Sequence, residues 1–272
     1  MDAAPLSGRD VRFYLALAVL GSSYLVLLAA MLVADLFYTT PGHLWAALQS
    51  PEIRYAIRLS LLTCTLTTLL SLWVAVPLGY LLARTRFPGR GLVDLAIDIP
   101  IVLPPLVVGL SLLILFQTPP GRLIERWIPV TYAIPSIILA QFMVACAFAV
   151  RTMRTTFDQL DPRPEQVALT LGCHRSQAFW RVAFPAARRG MLAAATLAWA
   201  RSLGEFGPIL VFSGATRFKT EVLSTTVFLE LSIGNLEAAV AVSLLMVATA
   251  FLALFILRHG AHESALGHPQ RS

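Results

Sequence analysis

Five stretches of this 272-residue chain carry no charged side chain for twenty residues or more: 13–34, 59–83, 99–121, 127–150 and 238–257. An α-helix rises about 1.5 Å per residue, so about twenty apolar residues cross the roughly 30 Å of hydrocarbon in a bilayer. Backbone N–H and C=O groups find no water there, and a helix is how one segment satisfies them by itself. Each stretch is therefore expected to span a membrane. A sixth, 190–213, is apolar except for Arg201 and Glu205, and its Ala193-Ala194-Ala195 run suits close helix packing. The expectation is an all-α integral membrane fold of six transmembrane helices, a single domain over residues 1–272.

Composition excludes the soluble classes. Residues are 57% hydrophobic and 13% charged, with a mean hydropathy of +0.73, too little polarity to cover a globule in water. Lys219 is the only lysine, so arginines carry almost all the positive charge behind the net +6. In a membrane chain these residues report topology before any nucleic acid. With the N-terminus inside, fourteen arginines fall on the cytoplasmic side, six basic residues fall outside and Arg201 lies in the membrane. That bias puts both termini in the cytoplasm. The first stretch has no small-x-small cleavage pattern before Asp35 and reads as a retained span. Cys64, Cys146 and Cys173 are far apart and imply neither a disulfide framework nor a zinc site. His259, His262 and His268 lack fixed ligand spacing and read as a solvated tail.

The longest cytoplasmic connection, 151–189, has helical signals of its own. Asp161 is a candidate N-cap ahead of Pro162 and Pro164, and Gly172 a C-terminal stop. Ser176 can cap a second helix carrying Phe179, Trp180, Val182 and Phe184, with Pro185 expected to end it. This helix, glycine, helix unit presents apolar side chains among basic ones. A protein partner and a lipid surface fit it equally well.

The catalytic classes find no residues. The nearest approach to a phosphate-binding loop is Gly214-Ala215-Thr216-Arg217-Phe218-Lys219-Thr220, in which Phe218 stands where Gly must precede Lys-Thr. Neither His-Glu-x-x-His nor Gly-x-Ser-x-Gly occurs. No catalytic residue, cofactor or metal is expected. An intramembrane enzyme would need a constellation that is missing, and a self-contained channel or secondary transporter would have no use for the 151–189 unit.

Pro164-Glu165-Gln166-Val167-Ala168-Leu169-Thr170-Leu171-Gly172, continued by Val182-Ala183-Phe184-Pro185, resembles the cytoplasmic signature of permease subunits of ATP-binding-cassette (ABC) importers. That pattern is Glu-Ala-Ala, three residues, Gly, nine residues, an aliphatic residue, one residue, and an apolar residue before Pro. Gly172, Val182, Phe184 and Pro185 fall in register; the Glu-Ala-Ala slot reads Gln166-Val167-Ala168, with Glu165 one position upstream. Ala200-Arg201-Ser202-Leu203-Gly204-Glu205-Phe206-Gly207, Arg86-Phe87-Pro88-Gly89 and the segment from Leu95 to Pro105 are similar to permeases for molybdate, tungstate and sulfate. Thiamine and ferric-iron permeases share parts of this pattern.

The resemblance covers about residues 55–257. It implies a type I importer permease in a bacterial or archaeal cell (inner) membrane, working as a dimer, most simply a homodimer. Its partners would be two cytoplasmic ABC ATPase subunits and an external substrate-binding protein. Glu165, Gln166, Ala168, Gly172 and Pro185 would then belong to the ATPase-coupling loop. The outer segments 38–58 and 214–237, with Glu52, Arg54, Arg58, Arg217, Glu221, Glu230 and Glu237, would be docking or ordinary solvated loops.

Arg201 and Glu205, four apart, share a helix face and can pair. A charge in a span costs at least about 2.5 to 3.5 kcal/mol on insertion scales, so an interior or water-lined position is expected. A structural pair stands ahead of a pathway role, because a neutralised arginine offers an anion little field. Pro208 should bend this span, eased by Gly204 and Gly207, as a gate or as a packing kink. Pro100, Pro104 and Pro105 should likewise break the third span, and Asp94 and Asp98 should lie at the interface.

Overall fold

The structure, a computed structural model, describes the backbone of residues 8–266 and the side chains of residues 13–255. The side chains of Arg9, Arg12, Arg258 and Arg271 and the tail histidines lie outside them. In chain order the helices are α1 (Gly8–Tyr38), α2 (Pro41–Gln49), α3 (Pro51–Arg84), α4 (Arg90–Val102), α5 (Pro105–Gln117), α6 (Pro119–Trp127) and α7 (Ile134–Gln159). Then come α8 (Arg163–Thr170), α9 (Arg175–Ala178), a π-helical turn (Phe179–Ala183), α10 (Phe184–Ala186), α11 (Arg188–Leu203), α12 (Gly207–Phe212), α13 (Leu223–Ser232) and α14 (Leu236–Leu266).

Proline sets many of these starts. It occupies the first or second position of α2, α3, α5, α6, α7, α8, α10 and α12, where a missing N–H costs nothing and a fixed φ helps. At α3 the cap is complete: Ser50 Oγ accepts from the Ile53 N–H at 3.4 Å and donates to Glu52 at 2.6 Å.

Six unbroken spans are not what forms. Phe13–Tyr38, Pro51–Arg84, Ile134–Gln159 and Leu236–Phe255 are long and apolar enough to cross a membrane, and α4 with α5 makes a fifth candidate bent by 112°. The stretch 99–121 is therefore no straight helix: Leu103 and Pro104 interrupt it, as Pro104 and Pro105 lead one to expect. The stretch 127–150 is displaced, beginning at Ile134 and running to Gln159 past Arg151 and Arg154. The stretch 190–213 is a 16-residue helix, a break at Gly204–Phe206, and a 6-residue helix.

α3, α7 and α11 pack as the central stack. Small residues permit it: Ala75, Ala145, Ala149, Ala194 and Ala198 are buried between them, together with Val76, Leu82, Met153 and Phe157. Gly79 marks a close crossing of α3 and α7, since a Cβ there would lie 2.8 Å from Met153 Cβ. α1 stands apart, touching α14, and its apolar side chains are exposed along its length, Leu20 by 71%.

Gln141 of α7, 2% exposed, ties the stack in its apolar interior. Its Oε1 accepts from Thr67 Oγ1 of α3 at 3.1 Å, and its Nε2 donates to the Ser202 carbonyl of α11 at 3.2 Å. Interhelical hydrogen bonds in membranes average about 0.6 kcal/mol and reach about 2. Gln141→Leu, near in volume but without these bonds, is expected to lower stability by about 1 kcal/mol while keeping the fold. Thermal unfolding of the detergent-purified protein measures this, and an unchanged melting temperature would show the network to be idle.

Candidate coupling and pathway site

α8 begins where Asp161 Oδ1 accepts from the Arg163 N–H at 3.0 Å. It ends at Gly172, whose φ of +89° is open to glycine and strained for other residues. The Gly172 N–H donates to the Leu169 carbonyl and the Cys173 N–H to the Ala168 carbonyl, at 3.1 and 3.0 Å, which closes the last turn. The stop expected at Gly172 is thus present. Two neighbouring expectations need correction. His174, not Ser176, precedes the second helix, its N–H donating to Gln177 Oε1 at 3.0 Å. Pro185 does not end that helix either: the π turn ahead of it widens the coil, and the chain continues helically through α10, past one turn residue, Ala187, into α11.

Glu165 turns inward. It is 9% exposed; Oε2 accepts from Tyr80 Oη at 2.8 Å, while Oε1 receives Arg84 Nε at 3.1 Å and Nη2 at 3.0 Å. Arg84 Nη2 also donates to the Leu160 carbonyl at 3.0 Å. One carboxylate therefore fastens α8 to the C-terminal end of α3. Tyr80 extends the joint, lying edge-on to Phe157 of α7 at 5.3 Å and to Phe179 of the π turn at 4.7 Å. Gln166 is exposed and Ala168 half-buried. Val167, Leu171 and Trp180 are exposed by 55%, 80% and 61%, an apolar surface on an element held rigidly from beneath.

Tyr80 and Arg84 were not read from the sequence as parts of this unit. Arg84 reads as a topology charge and Tyr80 as one apolar residue of a span. Each lies more than 80 residues from Glu165, and nothing local to Glu165 sets it apart from Asp158 and Asp161 in the same arginine-rich connection.

Arg201 and Glu205 do pair, Nη2 to Oε2 at 3.1 Å, with Glu205 2% exposed and the arginine side chain 32%. The contact is an ion pair without an aligned hydrogen bond at Oε2. The Arg201 guanidinium also lies 5.9 Å from the centre of the Phe148 ring. The expected bend is a full interruption: Gly204 caps α11 and Pro208 opens α12. The break packs against the other broken span. A Cβ on Gly207 would meet Pro105 Cβ at 3.0 Å, and one on Gly109 would meet Pro208 Cα at 2.7 Å.

Asp94 and Asp98 of α4 are bound to Arg154 and Arg151 of α7. Between α12 and α14, Arg217 Nη2 bonds Glu230 Oε1 at 2.8 Å, and Asn235 Nδ2 holds Oε2 at 3.1 Å. Glu221 is no solvated loop acid: it is 1% exposed and burial pushes its carboxyl above the usual range, against the pull of Thr226 and Arg217. Among the described residues no group of three or more His, Cys, Asp or Glu is placed to hold a metal.

Removing one member of the Arg201–Glu205 pair leaves the other in low dielectric. Arg201→Gln should cost about 3 kcal/mol, the low end for buried pairs because the arginine is partly exposed, and the double change to Gln at both positions should restore much of it. The amount of assembled protein in membranes reads this; a double variant no better than either single would remove the structural role.

The family described as "Binding-protein-dependent transport system inner membrane component" matches residues 75–262. Sulfate transport system permease protein CysT of Salmonella typhimurium is 32% identical over 85% of this chain and 84% of its own length. Molybdate/tungstate transport system permease protein WtpB of Pyrococcus abyssi is 36% identical over 76% and 79%, and molybdenum transport system permease protein ModB of Mycobacterium tuberculosis 35% over 87% and 90%. The fold is similar to a chain of a bacterial alginate ABC transporter crystallised with an alginate pentasaccharide-bound periplasmic protein, at a TM-score of 0.75 and 17% identity over 92% of this chain and 94% of that one. A transport component rather than an enzyme, this chain belongs to the binding-protein-dependent inner-membrane permease family of ABC importers.

Proposed function

We propose that the chain forms half of the membrane pathway of an ATP-driven importer for a tetrahedral oxyanion, sulfate or molybdate/tungstate. The observation that carries the transport role is the α8–Gly172–α9 unit, apolar outside at Val167, Leu171 and Trp180 and latched inside by Glu165. Such a surface suits a groove on a separate ATPase subunit better than lipid, because it is held in fixed relation to the spans it would move. Two ATPase subunits, a second permease copy in a homodimer and an external binding protein complete the assembly, with both termini of this chain cytoplasmic.

The coupling loop, residues 151–189, engages the ATPase through Gln166 and the exposed apolar side chains. Glu165 and Ala168 seat α8, Gly172 sets the angle between the two docking helices, and Pro185 with its π turn passes the movement into α11. The Arg201–Glu205 pair and the Gly207–Pro208 break stand where α11 and α12 meet, as structural elements beside the pathway. Cargo class follows the relatives, which are sulfate and molybdate/tungstate permeases; none of those named is a thiamine or ferric-iron permease.

Proteoliposomes carrying the chain with its ATPase and binding protein should accumulate radiolabelled sulfate or molybdate on ATP addition, each competing with the other. Uptake of neither would remove the oxyanion reading. Within the same assay Glu165→Gln keeps the shape of the latch and removes its charge. Uptake per ATP hydrolysed should then fall about 2- to 30-fold, the span of a 0.5 to 2 kcal/mol coupling, at unchanged membrane level. Unaltered uptake per ATP would show that the latch transmits nothing.

A further inference from the structure

Between α7 and the start of α11 lies a groove of about 700 Å³ that continues, through Thr156 and Gln159, into a recess of about 410 Å³ reaching Phe148. Its floor is the contact of Gly190 with Thr156, where a Cβ would come within 2.2 Å of Oγ1. Its lining is polar for a membrane helix. Arg151, Thr155 and Gln159 recur at helical spacing along one face of α7 and are exposed, and Arg188 and Arg189 stand on the facing wall. A polar row at the end of α7, past the charge-free stretch that closes at Val150, belongs beside water rather than lipid.

The charges are unequally satisfied. Arg151 is bound to Asp98, and Arg154 to Asp94 and Asp158. Arg188 and Arg189 have no carboxylate, ion pair or side-chain hydrogen bond among the described residues, leaving two free guanidinium groups at one mouth. A guanidinium presents planar paired donors that match two oxygens of an oxyanion. Two of them balance a dianion, and the Thr155 hydroxyl and Gln159 amide add neutral donors. The inner end reaches Phe148, whose ring lies 5.9 Å from the Arg201 guanidinium.

We propose that this groove is the cytoplasmic release site for a tetrahedral dianion, with Arg188 and Arg189 as its binding charges; this rests on the oxyanion reading above. A lipid phosphate shares the chemistry, so the test separates the two. Thr155→Cys is introduced into the chain assembled with its ATPase in nanodiscs of zwitterionic lipid. Its modification by an anionic sulfonatoethyl and a cationic trimethylammonioethyl methanethiosulfonate is followed, with the parent chain subtracting reaction at the native cysteines. The anionic reagent should react faster by at least about tenfold. Millimolar sulfate or molybdate should slow it, chloride at equal ionic strength should not, and R188Q/R189Q should abolish the preference.

Equal rates for the two reagents, or a preference that survives R188Q/R189Q, would overturn the site. So would slowing by anionic lipid that sulfate cannot relieve, which would assign the arginines to headgroups. In uptake, R188Q/R189Q should lose about tenfold and R188K/R189K should recover part of it at equal membrane level. Full uptake by R188Q/R189Q also overturns the site. Arginine-dependent anion preference and sulfate protection in the Thr155→Cys chain, together with uptake of neither oxyanion by the wild type, would instead overturn the cargo reading and leave the anion site standing.

Discussion

A helix that stops inside a membrane releases carbonyls and N–H groups where no water can take them, and the fold depends on how this chain takes them up at Gly204–Phe206. The Ser202 carbonyl, facing the interruption, accepts from Gln141 of α7. The Glu205 carbonyl accepts from Ser224 Oγ of α13 at 2.7 Å. The Glu205 N–H donates back to the Ser202 carbonyl at 3.2 Å. Three elements thus meet at one break, and the requirement that each group be satisfied fixes their relative depth. The same break lets Gly207 and Pro208 close on Pro105 and Gly109, so the two interrupted spans interlock where two straight helices could not approach.

From that point the structure reads as a continuous mechanical element. From Arg175 to Leu203 the chain is helical apart from Ala187, absorbing Pro185 through the π turn. It joins the exposed Trp180 at one end to Arg201 and the break at the other. α8 is carried in parallel, through Glu165 into α3. Both routes arrive at the α3, α7, α11 stack, whose alanine-lined contacts leave little slack, since packed interfaces shift between discrete arrangements more readily than they deform.

Much of this was legible in residue order. Charge-free runs mark the apolar segments, Gly172 ends α8 through its left-handed backbone, and the i, i+4 spacing of Arg201 and Glu205 anticipates their pair. What escaped reading is what depends on distant partners. A proline reads as a helix end, yet Pro185 is accommodated because a π turn removes its clash, and nothing local announces that turn. Pro104 and Pro105 announce the break in the run 99–121, but not the 112° corner that sets α5 against α12. Glu221 looks like a loop acid and is buried, two residues before a Leu223 N–H that Ser60 Oγ of α3 accepts at 2.9 Å.

The ion pairs that α3 and α4 make with α8 and α7 differ in what they can do, and burial decides which. Arg151–Asp98 is open to water, with side chains 59% and 28% exposed, and Arg154–Asp94 only slightly less so. Exposed pairs contribute about 0 to 1 kcal/mol and are screened by salt, so these fix where α4 rests against α7 more than they stabilise it. Arg84–Glu165 is different, at 16% and 11% exposed, with Tyr80 and the Leu160 carbonyl taking up further hydrogen-bonding capacity. A pair so enclosed cannot open without stranding a charge, whereas the exposed pairs can exchange partners with water at little cost. Movement imposed on α8 must therefore carry α3 with it, while α4 rests on the stack through Val93, Ile97 and two water-exposed pairs. That asymmetry makes the end of α3, rather than α4, the rigid input to the membrane stack.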